Sequence, residues 1–416
     1  MTRKSILASV ALRSFAALAL MLALTSAATG QERIIAVGDV HGALPQFVNI
    51  LQRTGVIDTR NQWVGKSTIL VQVGDATSRG TQSRQCLDLL MQLGAQAGEQ
   101  NGKVIPLLGN HEVMVIMGDV RYVLAEDYQT FAGEQSATVR ERAYEEYKAF
   151  QAKRHKHGRA DAAHEEAARQ KWMDEHPLGF FEFRDAFGPQ GKYGSWLRKL
   201  DTVAQIGDLL FLHGGLSPHF SFRSIGEIND RIRSDMVRYD SIWQSLSDQG
   251  IIWRYMRQEE ALQEVGEQLA ATGSAGGFGD RRTIEKMEEF LKLQKWASVS
   301  PDGPLWYRGY SEEPEGKLES GLQKIMARLK VQHIVAAHTI TGSRHITSRF
   351  GNRVFLIDTG MVFEQSHQGL ASALEIQNGQ FTAYYSNGEQ QVLLKRESAG
   401  TAPAPSNAPV VEKQQP

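Results

Sequence analysis

Four short words follow one another along this chain: Gly38-Asp39-Val40-His41-Gly42, Gly74-Asp75, Gly109-Asn110-His111-Glu112 and His213-Gly214-Gly215. A weaker fifth, Ala336-Ala337-His338-Thr339, comes later. Carboxylate, imidazole and amide-oxygen donors together suit borderline cations such as manganese, iron or zinc better than calcium. A glycine beside each donor lets the backbone turn sharply and keeps the donors uncrowded. In Asp39-Val40-His41 the spacing predicts two side chains on one side of an extended segment, both able to reach one ion. Singly, each word is weak. Gly118-Asp119 and Gly207-Asp208 are Gly-Asp pairs without a partner, and such pairs are ordinarily turns.

Position gives the words more weight. Ile34–Val37, Ile69–Val73 and Val104–Leu108 read as short strands, and each is followed immediately by one of the words. Between them, Leu44, Phe47, Val48 and Leu51, and then Cys86, Leu89, Leu90 and Leu93, are spaced as single helix faces. Strand-helix-strand alternation of this kind predicts a βαβ core in an α/β fold, where ligands sit beyond the carboxyl ends of the strands. Further strands are expected at Leu209–Leu212, Ile334–Ala336 and Val354–Ile357, with a hairpin over Ala371–Tyr385 turning at Asn378-Gly379. Two long charged stretches, about 119–201 and 222–295, read as helical insertions into one catalytic domain spanning 33–395. Polar words and strands stand on both sides of each.

The chain has 416 residues and a net charge of −1, so no global field recruits nucleic acid or an anionic membrane. Arg3, Lys4 and Arg13 precede the apolar run Phe15–Leu24 and then Thr25-Ser26-Ala27-Ala28, the pattern of a cleavable secretory signal over residues 1–28. Ten apolar residues are too few for a bilayer span. The expected location is therefore the periplasm or the exterior, with no stable membrane span after cleavage. The single cysteine, Cys86, allows no intramolecular disulfide and belongs to a buried helix face. His155, His157 and His164 lie on a charged stretch and read as exposed. Residues 399–416, rich in proline and alanine, read as a disordered tail.

The ordered set of words, with Arg79-Gly80 after Gly74-Asp75 and Leu216-Ser217-Pro218 after His213-Gly214-Gly215, resembles the calcineurin-like metallophosphoesterases. Within them it is similar to the phosphoprotein phosphatase branch. The run Gly109–Met114, the segment Gly303-Pro304-Leu305-Trp306-Tyr307-Arg308-Gly309 and Ala337-His338-Thr339 look most like bacterial Shewanella-like protein phosphatases. The resemblance covers about Ile34 to Tyr385, apart from the helical stretches.

It implies a four-layer architecture of α+β type, a central β-sandwich flanked by helices. It also implies two divalent metal ions, manganese foremost and iron or zinc as alternatives. Asp39 and His41 would hold the first, Asp75 would bridge both, and Asn110, His213 and His338 would hold the second. His111 would be the general acid, and Arg79 and Arg308 would grip phosphoryl oxygens, which guanidinium geometry suits. The implied reaction is direct hydrolysis of a phosphomonoester by activated water, with inversion at phosphorus. The substrate would be a phosphorylated protein or peptide. A small metabolite or nucleotide phosphoester is the alternative, since fold does not settle substrate. A metal-binding protein without turnover is a third reading, weakened because no ligand is missing.

One residue departs from the pattern. Ser78 stands where the family usually has an acid that pairs with the histidine matching His111. Either another carboxylate replaces it from the helical stretches, or His111 is a weaker acid and good leaving groups are preferred. The second reading favours phosphotyrosine over phosphoserine, because a phenolic oxygen needs less protonation.

Overall fold

The computed structural model describes residues 32–154, 162–274 and 280–396. The expected signal at 1–28, His155, His157, the side chain of His164 and the tail at 399–416 lie outside the described residues.

Eleven strands are described. They are β1 (Ile34–Val37), β2 (Ile69–Gln72), β3 (Lys103–Pro106), β4 (Val203–Ile206), β5 (Leu209–Leu212), β6 (His333–Ala336), β7 (Thr347–Arg349), β8 (Val354–Leu356), β9 (Ser372–Gln377), β10 (Gln380–Tyr385) and β11 (Gln390–Lys395). They form two sheets, ordered β11-β10-β9-β1-β2-β3 and β4-β5-β6-β8-β7. At the heart of each sheet is a parallel trio, β1-β2-β3 in one and β5-β6-β8 in the other. The trios present their carboxyl ends, and therefore their polar words, at one rim.

Alternation along the strands explains the layers. Ile34 and Ala36 of β1, Ile69 and Val71 of β2, Leu209 and Phe211 of β5 and Phe355 of β8 share one buried cluster between the sheets. The intervening residues face outward: Ile35 and Val37 pack with Phe47, Ile50 and Leu51 of helix α1 (Leu44–Arg53) and Cys86 and Leu90 of α2 (Ser83–Glu99). On the far side Leu210, Ile334 and Val354 pack with Leu322, Ile325 and Leu329. Strands buried on both faces read as continuous apolar runs, which is why they were visible in the sequence. The result is the expected four-layer β-sandwich flanked by helices, with Cys86 a buried free thiol.

Three details differ from expectation. β3 ends at Pro106, not Leu108: Leu107 N–H still donates to Gln72 O, but Leu107 bridges Asp201 and Leu108 N–H donates to Asp201 O, away from β2. β4, β7 and β11 are additional strands at the sheet edges. The segment from Asp39 to His41 is not extended, since His41 sits at φ +49°. The hairpin forms as read: Asn378 (φ 50°) and Gly379 (φ 74°) make a two-residue left-handed turn between β9 and β10.

The charged stretches are helical. Helix α3 (Asn110–Ile116) is followed by α4 (Ala125–Gln129), α5 (Ser136–Arg154), α6 (Ala162–Glu175), α7 (Phe180–Phe187) and α8 (Lys192–Leu197). After β5 come α9 (Ile225–Asp248), α10 (Gln258–Ser274) and α11 (Arg281–Leu291). The two groups meet in an aromatic cluster, where Trp172 stacks on His176 at 4.1 Å and lies 6.2 Å from Trp253. His176 is thus a packed core residue. No helix among the described residues is long and apolar enough to cross a membrane.

Candidate metal centre

Each donor stands just past the end of a parallel strand: Asp39 and His41 after β1, Asp75 after β2, Asn110 at the start of α3 after β3, His213 after β5 and His338 after β6. The backbone there is strained. His41, Asp75, Ser78, Arg79 and His338 are non-glycine residues in the left-handed region, with φ of 49°, 57°, 69°, 64° and 67°. Such conformations cost of order 1–3 kcal/mol each and persist only where surroundings impose them. Here Val40 and His41 N–H both donate to Asp75 O, at 3.0 and 2.8 Å. Glu112 does most of the rest. Its buried carboxylate accepts from the N–H groups of Asp75, Ala76, Thr77 and Gly109 and from Thr77 Oγ1, at 2.7–3.1 Å.

Gly109 is required by close approach, because a Cβ there would lie 2.1 Å from Asp75 Oδ1.

Two backbone carbonyls fix the imidazoles. His41 Nδ1 meets Thr77 O at 3.0 Å and His213 Nδ1 meets Val73 O at 3.0 Å, so in each ring Nε2 is the atom left to ligate. His213 Nε2 lies 2.9 Å from Asn110 Oδ1, 3.2 Å from Asp75 Oδ2 and 3.1 Å from His338 Nδ1. His41 Nε2 lies 3.6 Å from both Asp39 Oδ2 and Asp75 Oδ2. These are clusters of electron-pair donors converging on two points, with Asp75 Oδ2 common to both. His41, Asp75 and His111 form one compact group, and Asp75, His213 and His338 another, able to hold a metal ion.

The electrostatics agree with a missing positive charge. Burial pushes the Asp75 carboxyl up to about 6. Burial also raises Asp39 to about 7, with Asp75 adding to the rise and His213 opposing it. Metal binding removes this penalty, since it supplies the counter-charge the carboxylates lack. The donor set fits two divalent cations.

His111 is placed against this cluster. Its Nε2 is 3.9 Å from Asp75 Oδ2, its ring is 4.6 Å from that of His41, and its Nδ1 is buried with no hydrogen-bond partner among the described residues. Burial, then His41 and Arg79, hold its pKa far below the usual imidazole range. Arg79 Nε reaches His111 Nε2 at 3.4 Å, and its guanidinium lies over the Tyr122 ring at 4.7 Å. Arg308 donates to His338 O and Thr339 Oγ1 at 3.2 and 3.0 Å. Both arginines line one cavity of about 270 Å³ with Asp39, His41, Asp75, Asn110, His111 and His338.

The structure also shows what stands around Ser78. A carboxylate does come from the helical block: Asp127 of α4, fully buried, accepts from Ser83 N–H at 2.9 Å, and Ser83 Oγ accepts from Ser78 N–H at 2.9 Å. Asp127 thus reaches the Ser78 backbone only through Ser83, and no hydrogen bond or ion pair among the described residues joins it to His111.

Sequence reasoning missed Asp358 and Tyr122. Asp358, 2% exposed, lines the same cavity and shares a hydrogen bond with Asp39. Burial and the Asp39 charge push its carboxyl up to about 8. It follows β8 as Ile357-Asp358-Thr359-Gly360, the same strand-end form as the other words, and that form was the available signal. Tyr122, 5.1 Å from the His111 ring, had none.

A family model described as calcineurin-like phosphoesterase matches residues 32–342. Among curated proteins, Shewanella-like protein phosphatase 1 of Plasmodium berghei (strain Anka) is 23% identical over 79% of this chain and 67% of its own length. Shewanella-like protein phosphatase 2 of Arabidopsis thaliana is 32% identical, over 49% of this chain and 51% of its own length. Against that relative the match spans about half of each protein. Among solved structures, a cold-active protein-tyrosine phosphatase of a psychrophile Shewanella species aligns at a TM-score of 0.55. It is 22% identical and covers 88% of this chain and 81% of that one, a likeness of fold. With the family model spanning most of the chain and the donors gathered at the ends of two parallel strand trios, this protein belongs to the calcineurin-like phosphoesterase family.

Proposed function

We propose that this protein is an exported two-metal phosphomonoesterase that hydrolyses phosphorylated protein or peptide and favours phosphotyrosine. The observation that carries the reading is the pair of buried donor groups that share Asp75, namely His41, Asp75 and His111 and then Asp75, His213 and His338, with Asp39 Oδ2 3.6 Å from His41 Nε2 and Asn110 Oδ1 2.9 Å from His213 Nε2, in a cavity that Arg79 and Arg308 also line. Two divalent cations bound there, manganese foremost, would activate water and offset charge on the phosphoryl oxygens. Arg79, beside His111, and Arg308, beside His338, line the same cavity and would orient the phosphoryl group. His111 stands on the Arg79 and Tyr122 side, where it donates a proton to the departing oxygen. Export rests on the basic and apolar pattern of residues 1–28. The names of the Shewanella-like relatives support the choice of phosphoprotein.

The preference for phosphotyrosine follows from His111 Nδ1. With no carboxylate to receive an N–H there, and with burial opposing protonation, this histidine is seldom protonated near neutral pH and is a poor general acid for that reason. A phenolate leaves without much help; a serine alkoxide does not. Hydrolysis of matched phosphotyrosine and phosphoserine peptides by the metal-loaded protein should therefore favour phosphotyrosine, by roughly ten-fold or more given the 10²–10⁴ that acid catalysis typically contributes. Ser78→Asp should narrow the ratio by speeding the phosphoserine reaction more. Equal rates on both peptides, or equal gains in the variant, would reject the explanation from scarce protonation of His111.

A further inference from the structure

Asp127 is a buried carboxyl that the reading above leaves without a task. It belongs to α4, has no exposed surface and does not line the metal cavity. Its Oδ2 is buried with no hydrogen-bond partner among the described residues. Burial pushes the carboxyl up to about 6, and the hydroxyl and N–H of Ser83 oppose that rise. Ser83 opens α2, so its N–H has no acceptor within the helix, and Asp127 supplies one at 2.9 Å. A cap of that kind would serve stability alone. The Ser83 hydroxyl carries the contact further. Its oxygen accepts from Ser78 N–H at 2.9 Å, which leaves its own proton to the Asp127 carboxylate.

The backbone reached in this way is the one that presents Arg79. Ser78 and Arg79 are consecutive left-handed residues, a conformation that L side chains keep only where neighbours impose it. The first helical insertion holds both of their N–H groups. Asp127 holds that of Ser78 through Ser83, and Tyr122 O accepts directly from Arg79 N–H at 2.7 Å. From this backbone the Arg79 side chain reaches the metal cavity, its Nε 3.4 Å from His111 Nε2. Release of Ser78 N–H would let the pair relax toward ordinary φ values and turn the guanidinium off line. We infer that Asp127 is a positioning residue for Arg79, acting through the Ser83 hydroxyl on the Ser78 backbone. The inference rests on the reading of Arg79 as a phosphoryl-binding group and names what aims it.

The test uses the full metal-loaded protein, an aryl phosphate as substrate and inorganic phosphate as competing anion. Asp127→Leu removes the acceptor, whereas Ser83→Ala keeps Asp127 and removes the hydroxyl. Each should raise KM and the inhibition constant of phosphate about ten-fold, the scale of one charge-assisted hydrogen bond weakened. Because phosphate binding is what weakens, kcat should stay within about three-fold and bound manganese per chain should not change. Asp127→Asn, which retains an acceptor oxygen for Ser83, should bring KM back to within about three-fold of the parent. In an Arg79→Ala background neither loss should add more than about two-fold, since residues that act through one group are not additive. Unmoved constants in Ser83→Ala or in folded Asp127→Leu, or losses that multiply with Arg79→Ala, overturn the inference. So does a fall in kcat or in bound manganese with KM unmoved, the mark of a structural role. Ser83→Ala decides alone if Asp127→Leu does not fold. If Arg79→Ala itself leaves phosphate affinity unaltered, the phosphoryl role of Arg79 fails and the inference falls with it.

Discussion

Asp75→Asn is expected to lower metal-dependent hydrolysis of an aryl phosphate by roughly 10³-fold or more, several kcal/mol of lost transition-state stabilisation. One oxygen explains the size of the effect. Asp75 Oδ2 is the atom nearest both donor groups, 3.2 Å from His213 Nε2 and 3.6 Å from His41 Nε2. Asparagine removes the charge and either turns an N–H₂ toward those bare nitrogens or gives up the His111 N–H bond that Oδ1 accepts at 2.9 Å. Stability should move the other way. Burial raises the Asp75 carboxyl to about 6, so above that pH its charge opposes folding in the metal-free protein. The metal-free variant should then melt at the same temperature as the metal-free parent or higher, and bind fewer ions. Activity within ten-fold of the parent would show that Asp75 is not shared between two ions.

Glu112→Gln should damage the fold more than any single ligand change. The Glu112 carboxylate ties together the loop after β2 and the start of α3 by accepting from four backbone N–H groups and one hydroxyl. An amide keeps the shape but offers one acceptor oxygen where two are used, so buried N–H groups are left facing an N–H₂. Each orphaned buried donor costs about 1–3 kcal/mol, and those of Asp75, Ala76 and Thr77 belong to strained backbone that has little else to hold it. We expect a fall in melting temperature of roughly 5–10 °C, together with loss of metal binding. Thermal unfolding of the metal-free protein isolates the structural part. An unchanged melting temperature would mean that the loop is held elsewhere.

Much of this arrangement could be read from the chain because fully buried strands print as uninterrupted apolar runs, and each ligating word follows one directly. Val354–Ile357 was read as a strand too, yet Asp358 after it was passed over, since it has neither the preceding glycine of Asp39 and Asp75 nor a histidine or Arg-Gly pair following. The geometry of Asp39 and His41 was misread for a different reason. Their local spacing suits a strand, but Asp75 O, just past the end of the neighbouring strand β2, captures both Val40 and His41 N–H and turns the chain. Asp127 was out of reach of any local rule. It lies in a charged helical stretch, and only tertiary packing carries it beneath Ser83 and the Ser78 loop. The edge strands β4, β7 and β11 were missed because β4 and β7 are only four and three residues long and β11 is largely exposed, so their pairing depends on the neighbouring strand more than on their own pattern.

The most direct test of a shared two-metal site is a single titration of the metal-stripped protein with manganese, reading bound ions per chain by equilibrium dialysis and aryl phosphate hydrolysis in the same samples. The donor geometry predicts saturation at two ions per chain, with hydrolysis absent at zero and complete only when the second has bound. Saturation at one ion with full activity, or undiminished hydrolysis in the stripped protein, would contradict it.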